Sequence, residues 1–329
     1  MRPRAPQGTW LVTGAAGYIG GHTVARLRSS GCRVVGLDDL SGGDPLRLPA
    51  DVPLVVADAG DRAAVTAALR DHEVTGVMHL AGRKSGPEST ARPIYYYQQN
   101  VGALATVLES MVDAGVDRLV FSSSAAVYGI PDTALVAEDS PTRPLNPYGE
   151  TKLAGEHLIA AAGLAHGISW IALRYFNAVG AQGPRLGDRG TTNLIPLAFA
   201  ALETGEPMIV TGGSFPTVDG TGVRDYVHVA DVAEAHAVAV RRLDTTTPAA
   251  SIYNVGVGRG HSVLAVLAAI EEVAGRPVPT RVGPARPGDP PEVVADVNKI
   301  RRELGWQARH DLRDAVRSAW EARTVSVHL

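Results

Sequence analysis

Six short apolar runs punctuate the first half of the chain: TWLVTG, RVVGLD, PLVVAD, GVMHLAG, RLVFSSS and ISWIALRY. Each is continuous rather than alternating, the pattern of a strand covered on both faces. Between them, stretches near 18–30, 61–72, 93–114 and 148–165 carry apolar residues at helical spacing. Strand–helix alternation of this kind predicts a doubly wound parallel sheet. From about residue 178 the texture changes. Glycine and proline interrupt the chain in GAQGPRLGDRG, TGGSFPTVDGTG and VGPARPGDPPE, with helices predicted at 193–204 and 262–275. The expectation there is a smaller, mixed α/β region that packs on the sheet and covers a ligand. No internal repeat or low-complexity segment is present.

Composition narrows the class. The chain has 329 residues, 45% of them hydrophobic and 20% charged, with a net charge of −3. That balance gives no sign of a nucleic-acid partner or an anionic membrane surface. Cys32 is the one cysteine, which excludes a disulfide framework and a cysteine-based zinc site. No cluster of His, Asp and Glu suggests a metal. The start, MRPRAPQGTW, has positive charge but no apolar core, so it does not read as a signal peptide. No apolar run approaches 18 residues. A cytoplasmic enzyme is expected.

The first run leads straight into TGAAGYIGGH, with glycines at 14, 17 and 20. Gly14 permits a tight turn, Gly17 lets the backbone approach a pyrophosphate, and Gly20 lets the helix pack on the strand. A helix N-terminus there offers unpaired N–H groups to phosphate. Strand, glycine loop, helix and strand in that order read as a Rossmann-type dinucleotide site. Asp38 ends the second run, where a carboxylate meets a ribose hydroxyl and repels a 2′-phosphate. NAD is therefore expected over NADP. Asp39 is the rival for this role, its alternative being a cap for the loop DLSGG. Asp58 ends the third run, either to hold the adenine amino group or to cap the helix near Asp61.

A second stretch, NPYGETK at 146–152, places Tyr148 and Lys152 one helical turn apart behind an Asn146 cap and Pro147. Only Lys84, Lys152 and Lys299 among 31 cationic residues are lysines. A site that must set one compact positive charge beside a phenol has reason to keep lysine. A free tyrosine titrates near pH 10, and an ammonium nearby would lower that value. Ser124 ends the fifth run. Ser124, Tyr148 and Lys152 would then converge at the carboxyl edge of the sheet, where such sheets bind ligands.

These motifs resemble the extended short-chain dehydrogenase/reductase family, and within it the UDP-galactose (UDP-glucose) 4-epimerase branch. The matching stretches run in order from about residue 9 to 310. They include VTGAAGYIG, HLAGRKSGPES, FSSSAAVYG, NPYGETKLAGE, LRYFNAVGA, PTVDGTGVRDYVHVAD and RPGDPP. The resemblance implies NAD-dependent 4-epimerisation of a UDP-hexose, with Tyr148 as acid/base, Ser124 on the sugar oxygen and Lys152 on the cofactor ribose. It extends the cofactor contacts to Tyr18, Ile19, Ala59, Leu80, Ala81, Gly82 and Lys84. It adds Asn100 and Tyr175 near the nicotinamide, and Ser122, which also reads with Ser123 as a strand-end turn residue. On the UDP-sugar it implies Lys84, Asn177, Asn193, Leu194, Arg224, Arg286, Asp289 and Val293. Asn193 has the alternative of an N-cap, Arg224 that of an ion pair with Asp225, and Asn100 that of a bond inside its helix. Phe176 is read as core, and His228 and His236 as structural.

The resemblance further implies a homodimer through helices 93–114 and 148–165. Tyr95–Tyr97 are read as helix-face packing at a subunit contact. The implied division is a cofactor domain at 1–177 with a return near 225–258, and a substrate region at 178–224 and 259–329. Related dehydratases carry an acidic pair after the serine, where this chain has Ala125 and Ala126. Two departures from the branch are a shortened loop at 181–192 and valine at 293, where restricted members often carry an aromatic. The second predicts some tolerance of UDP-N-acetyl sugars. An epimerase of another nucleotide sugar and a non-catalytic NAD-sensing regulator are the competing readings.

Overall fold

The computed structural model describes residues 8–190, 192–245, 247–284 and 289–325. The chain opens with β1 (Thr9–Thr13), α1 (Tyr18–Ser29), β2 (Arg33–Asp38) and β3 (Leu54–Val56). Next come α2 (Arg62–Asp71), β4 (Val74–His79), α3 (Gly86–Ala91), α4 (Pro93–Tyr96), α5 (Ala103–Ala114) and β5 (Arg118–Ser124). β6 (Leu135–Val136), α6 (Pro147–His166), β7 (Ser169–Tyr175) and β8 (Asn177–Val179) lead to α7 (Leu194–Thr204) and β9 (Met208–Thr211). β10 (Val223–His228), α8 (Val229–Leu243), β11 (Ala250–Val255), β12 (Gly260–Ser262) and α9 (Val263–Ala274) follow. β13 (Thr280–Gly283), β14 (Glu292–Ala295), α10 (Asn298–Leu304) and α11 (Leu312–Val325) come last.

Every apolar run of the first half is a strand of one seven-stranded sheet, in the order β11-β7-β5-β4-β1-β2-β3, all parallel. Its covering on both faces follows from strand periodicity. In β1, Trp10 and Val12 point into a core with Val24 and Leu27 of α1 and Val232 and Val240 of α8. Leu11 points the other way, toward Leu69 of α2, Leu104 and Val107 of α5 and Ile159 of α6. The chain leaves β1 in opposite directions through β2 and β4. This is the switch point where a doubly wound sheet opens a crevice at its strand ends.

The second region is built on a five-stranded sheet, β12-β10-β14-β6 with β8 against β10, and a parallel β9–β13 pair. Ile195 and Phe199 of α7, Val266 and Ile270 of α9 and Val316 of α11 form its core. The division of the chain is more interleaved than expected. The return to the main sheet begins at α8 rather than at 225, because β10 pairs within the second sheet. β6 joins that sheet from the N-terminal half, and Ile300 of α10 packs back among Trp10 and Trp306. The sequence reading also missed α8. Twelve of its fifteen residues are buried, many of them alanines, and its polar residues Glu234, Arg241 and Arg242 gather on one narrow stripe.

The predicted helix at 93–114 is interrupted by a π-helical turn, Tyr97–Gly102. Tyr95–Tyr97 do not share one face: Tyr96 is fully buried, Tyr97 is exposed, and Tyr95 lies under the Arg92 guanidinium at 4.0 Å. None of the described helices is long and apolar enough to cross a membrane.

Candidate active site

The phosphate loop joins β1 to α1. Gly14 takes a left-handed conformation, φ +69°, that favours glycine, and its N–H donates to Leu37 O at 2.8 Å. A Cβ on Gly20 would lie 2.0 Å from Gly14 O, so the helix approaches the loop as closely as a backbone can. The α1 N-terminus starts at Gly17 with no side-chain cap, leaving its N–H groups to a ligand. A cradle of this shape fits a dinucleotide pyrophosphate. Gly20→Ala is expected to destabilise the fold by about 1–3 kcal/mol through overpacking. The same variant should carry less bound NAD than the parent after purification; thermal unfolding and nucleotide release on denaturation test both effects.

A cleft of about 530 Å³ opens over this loop. Gly14, Gly17, Tyr18, Ile19, Gly20, Asp38, Asp39, Asp58, Ala59, Leu80, Ala81, Gly82, Lys84 and Ser122 all line it. Asp38 is buried, and its carboxylate accepts from Ala16 N and Leu40 N, both at 2.9 Å. Burial raises its pKa against those two amide donors. The second bond also holds Leu40 at φ +57°. Asp39 bonds to the Ser41 N–H and hydroxyl and pairs with Arg83, so it does cap the following loop. Asp58 accepts from Gly60 N at 2.7 Å, while Asp61 itself caps α2. The helix-cap alternative for Asp58 therefore falls.

Arg47, Asp188 and Arg189 also line the cleft, and the sequence reading missed them. Arg47 is 9% exposed and donates to Ala16 O and Gly187 O, both at 3.2 Å. It ties the phosphate loop to the segment around Gly187 that follows β8. No local motif announces such a residue, because its two partners are 31 and 140 positions away in sequence.

Asn100 does not line the cleft. Its amide accepts from Arg83 N at 2.7 Å and donates to Arg83 O and to the Thr151 hydroxyl. The π-helical turn aims it at the 82–84 loop, so its bonds leave its own helix and tie that loop to α6. Tyr96 supports the same segment, accepting from Ser85 N and donating to Glu88, both at 2.9 Å.

Ser124, Tyr148 and Lys152 converge where β5 ends. Asn146 caps α6 by accepting from Gly149 N at 3.0 Å, and Pro147 follows it. Tyr148 and Lys152 then face the β5 terminus from adjacent turns. The Ser124 Oγ accepts from Ala126 N at 3.1 Å and lies in hydrogen-bonding reach of the Tyr148 phenol. Burial raises the Tyr148 pKa and the Ser124 hydroxyl lowers it. The buried Lys152 ammonium donates to Ser122 O at 2.8 Å, a bond that one helical turn of sequence does not announce. Lys152 itself is lowered to about 8, first by burial, with Glu156 acting in the opposite direction. Ser122 and Ser123 are β5 residues rather than a turn.

Glu156 was not singled out from sequence, although it continues the i, i+4 series of Tyr148 and Lys152. It makes a two-pronged pair with Arg174, at 2.9 and 2.7 Å, both side chains being 3% exposed. Ser123 donates to the same carboxylate. Arg174 also reaches the Tyr128 hydroxyl at 2.9 Å, and Tyr128 donates to Asn254 at 2.7 Å.

On the second region's side, Asn177 on β8 reaches the Tyr226 phenol. Asn193 sits at the α7 N-cap position but makes no cap bond; its amide donates to Asp188 at 2.9 Å. Leu194 begins α7 beside it. Arg224 pairs with Asp289 at 2.9 Å and not with Asp225. Asp225 is fully buried and accepts from Val257 N, Gly258 N and Ala295 N. Arg286 lies outside the described residues. Val293 is buried with Val127, Tyr128 and Phe176, against the partly buried Ala125. Phe176 is core, as expected. Among the described residues no acidic or histidine cluster could hold a metal ion.

Fold and site together define a dinucleotide-binding α/β protein with a Ser–Tyr–Lys constellation at the open edge of its sheet. The chain belongs to the NAD dependent epimerase/dehydratase family, whose model matches residues 10–256. It is 44% identical over 318 residues to the UDP-glucose 4-epimerase of Azospirillum brasilense, covering 94% of this chain and 91% of that one. It is 41% identical to the UDP-glucose 4-epimerase of Bacillus subtilis, covering 97% of each. Among solved structures, the UDP-glucose-4-epimerase of Stenotrophomonas maltophila, with bound NAD and formylated UDP-arabinopyranose, superimposes with a TM-score of 0.92. It is 40% identical and covers 98% of this chain and 100% of that one.

Proposed function

We propose that this protein is an NAD-dependent UDP-hexose 4-epimerase that interconverts UDP-galactose and UDP-glucose. The observation that carries this reading is the convergence of Ser124, Tyr148 and Lys152 beside a cradle whose ribose-facing acid is Asp38. Bound NAD supplies the acceptor and donor for the C4 hydride, so that a 4-keto sugar can form and be reduced on its other face. Tyr148 takes the sugar hydroxyl proton and gives it back. Burial raises the pKa of its phenol and the Ser124 hydroxyl opposes that; the positive charge of bound NAD would further favour the phenolate. Ser124 accepts from Ala126 N, which leaves its own proton to be directed at Tyr148 or the sugar O4. Ala125 and Ala126 provide no acid for elimination or decarboxylation. Lys152 and Lys84 hold the cofactor; Asn177, Asn193, Leu194, the Arg224–Asp289 pair and Arg286 hold the UDP-sugar. Tyr175, hydrogen-bonded to the cleft-lining Ser122, would stand behind it at the nicotinamide end.

The proposal includes a cytoplasmic homodimer through α5 and α6, where Val112 and Leu164 are 41% and 92% exposed. Light scattering on the purified protein tests it. Val293 favours a second activity on UDP-N-acetyl sugars, exerted through the buried cluster next to Ala125. The deciding experiment adds no cofactor. UDP-galactose and UDP-N-acetylgalactosamine are offered separately, and 4-epimer formation is followed by NMR. Turnover of the first supports the reading, and turnover of the second supports the wider specificity. No turnover of either, with NAD released on denaturation, would move the reaction to another nucleotide sugar. Absence of both NAD and turnover would favour the regulator.

A further inference from the structure

Tyr175 ends β7 directly beside Ser124 in the sheet register, and it is buried. Its hydroxyl lies 2.5 Å from Nε2 of His236, a fully buried residue of α8. The other ring nitrogen of His236, Nδ1, lies 2.9 Å from Val232 O. A backbone carbonyl can only accept, so Nδ1 carries the ring proton. Burial keeps this imidazole neutral, holding its pKa at about 4. Nε2 is then an acceptor, and Tyr175 must be the donor. The Tyr175 proton is committed away from the site, and the phenol oxygen keeps only lone pairs for its other neighbour, the Ser122 hydroxyl. Ser122 lines the nucleotide cleft. Ser122, Tyr175, His236 and Val232 thus form a one-way chain of donors running from the cleft into α8.

We infer that His236 is a positioning residue that locks Tyr175 as a hydrogen-bond acceptor at the nicotinamide end of the site. The inference rests on the functional reading above. An acceptor oxygen near a pyridinium ring stabilises its positive charge, whereas a donor there would oppose it. His236 therefore favours the oxidised cofactor between turnovers.

The test uses the purified NAD-loaded protein and sodium cyanoborohydride, which transfers hydride to the nicotinamide ring and is followed at 340 nm. His236→Phe frees the Tyr175 proton to turn toward the cleft, and reduction of bound NAD should quicken about tenfold, the scale of one hydrogen bond. His236→Gln, whose carbonyl can accept from Tyr175, should stay near the parent rate. In a Tyr175→Phe background, His236→Phe should add nothing. A folded His236→Phe protein reducing at the parent rate would overturn the inference. An effect that persists without the Tyr175 hydroxyl would also overturn it, because packing alone would then explain it. Nitrogen-15 NMR of His236 separates this from failure of the functional reading. If the parent protein binds no NAD and turns over no UDP-galactose, that reading fails, and a proton on Nε2 would sink the inference independently.

Discussion

Tyr148→Phe is expected to lower kcat for UDP-galactose about 10³-fold while leaving the fold and bound NAD in place, as befits loss of a positioned proton-transfer group. Phenylalanine keeps the ring that packs at the start of α6 and removes only the oxygen. In the proposed reading the phosphate loop, Asp38, Lys84 and Lys152 carry the hold on NAD, so loss of the Tyr148 oxygen should change NAD retention little. The Asn146 cap uses the Gly149 N–H and stays intact. Ser124 cannot substitute as base, since a free hydroxyl is far weaker and its oxygen already accepts from Ala126 N. NMR of the two 4-epimers at matched NAD occupancy measures the effect. A variant keeping more than a tenth of parental kcat would remove Tyr148 from the proposed role. Ser124→Ala, which takes away a hydrogen bond rather than the base, should lose less.

The strands and the phosphate loop were legible because their causes are local. Continuous apolar runs, a glycine triplet and an acid at the end of β2 sit within a few residues of what they determine. Asn146, Pro147, Tyr148 and Lys152 were legible for the same reason, because one helical turn fixes their relation. What the sequence did not yield depends on distant partners. Lys152 looks free to act on Tyr148 until β5 brings Ser122 O to its ammonium. Asn100 looks like a helix residue until the π-helical turn swings it to Arg83 and Thr151. Arg224 has an acid next to it in sequence, yet pairs with Asp289, because Asp225 is on the buried side of β10. His236 reads only as a structural histidine until β7 places Tyr175 against it. Each of these side chains was rightly noticed, and its partner was invisible without the register of the sheets.

The second large effect is expected at Glu156. Glu156→Gln should destabilise the protein by about 3 kcal/mol, near the lower bound for removing one partner of a buried ion pair. Burial alone would lower the Arg174 pKa, and the Glu156 bonds more than reverse that. Glutamine leaves the Arg174 charge at 3% exposure without a counter-ion, although Ser123 and Arg174 can still bond its oxygen. Denaturant unfolding at fixed NAD concentration gives the comparison, since bound cofactor shifts apparent stability. Glu156→Leu combined with Arg174→Met should cost less than the two single changes together, because no charge is then stranded. The pH dependence should move as well. Lys152 loses its proton near pH 8, and the Glu156 carboxylate is what opposes the lowering by burial. Without it the ammonium is lost at lower pH, so the alkaline limb of kcat should shift downward and activity should fall where the parent still works. A variant with parental stability would show that the pair is not an ionic one. An unmoved alkaline limb would show that Lys152 does not sense Glu156, and that the series Tyr148, Lys152 and Glu156 along α6 is a packing pattern with no electrostatic consequence.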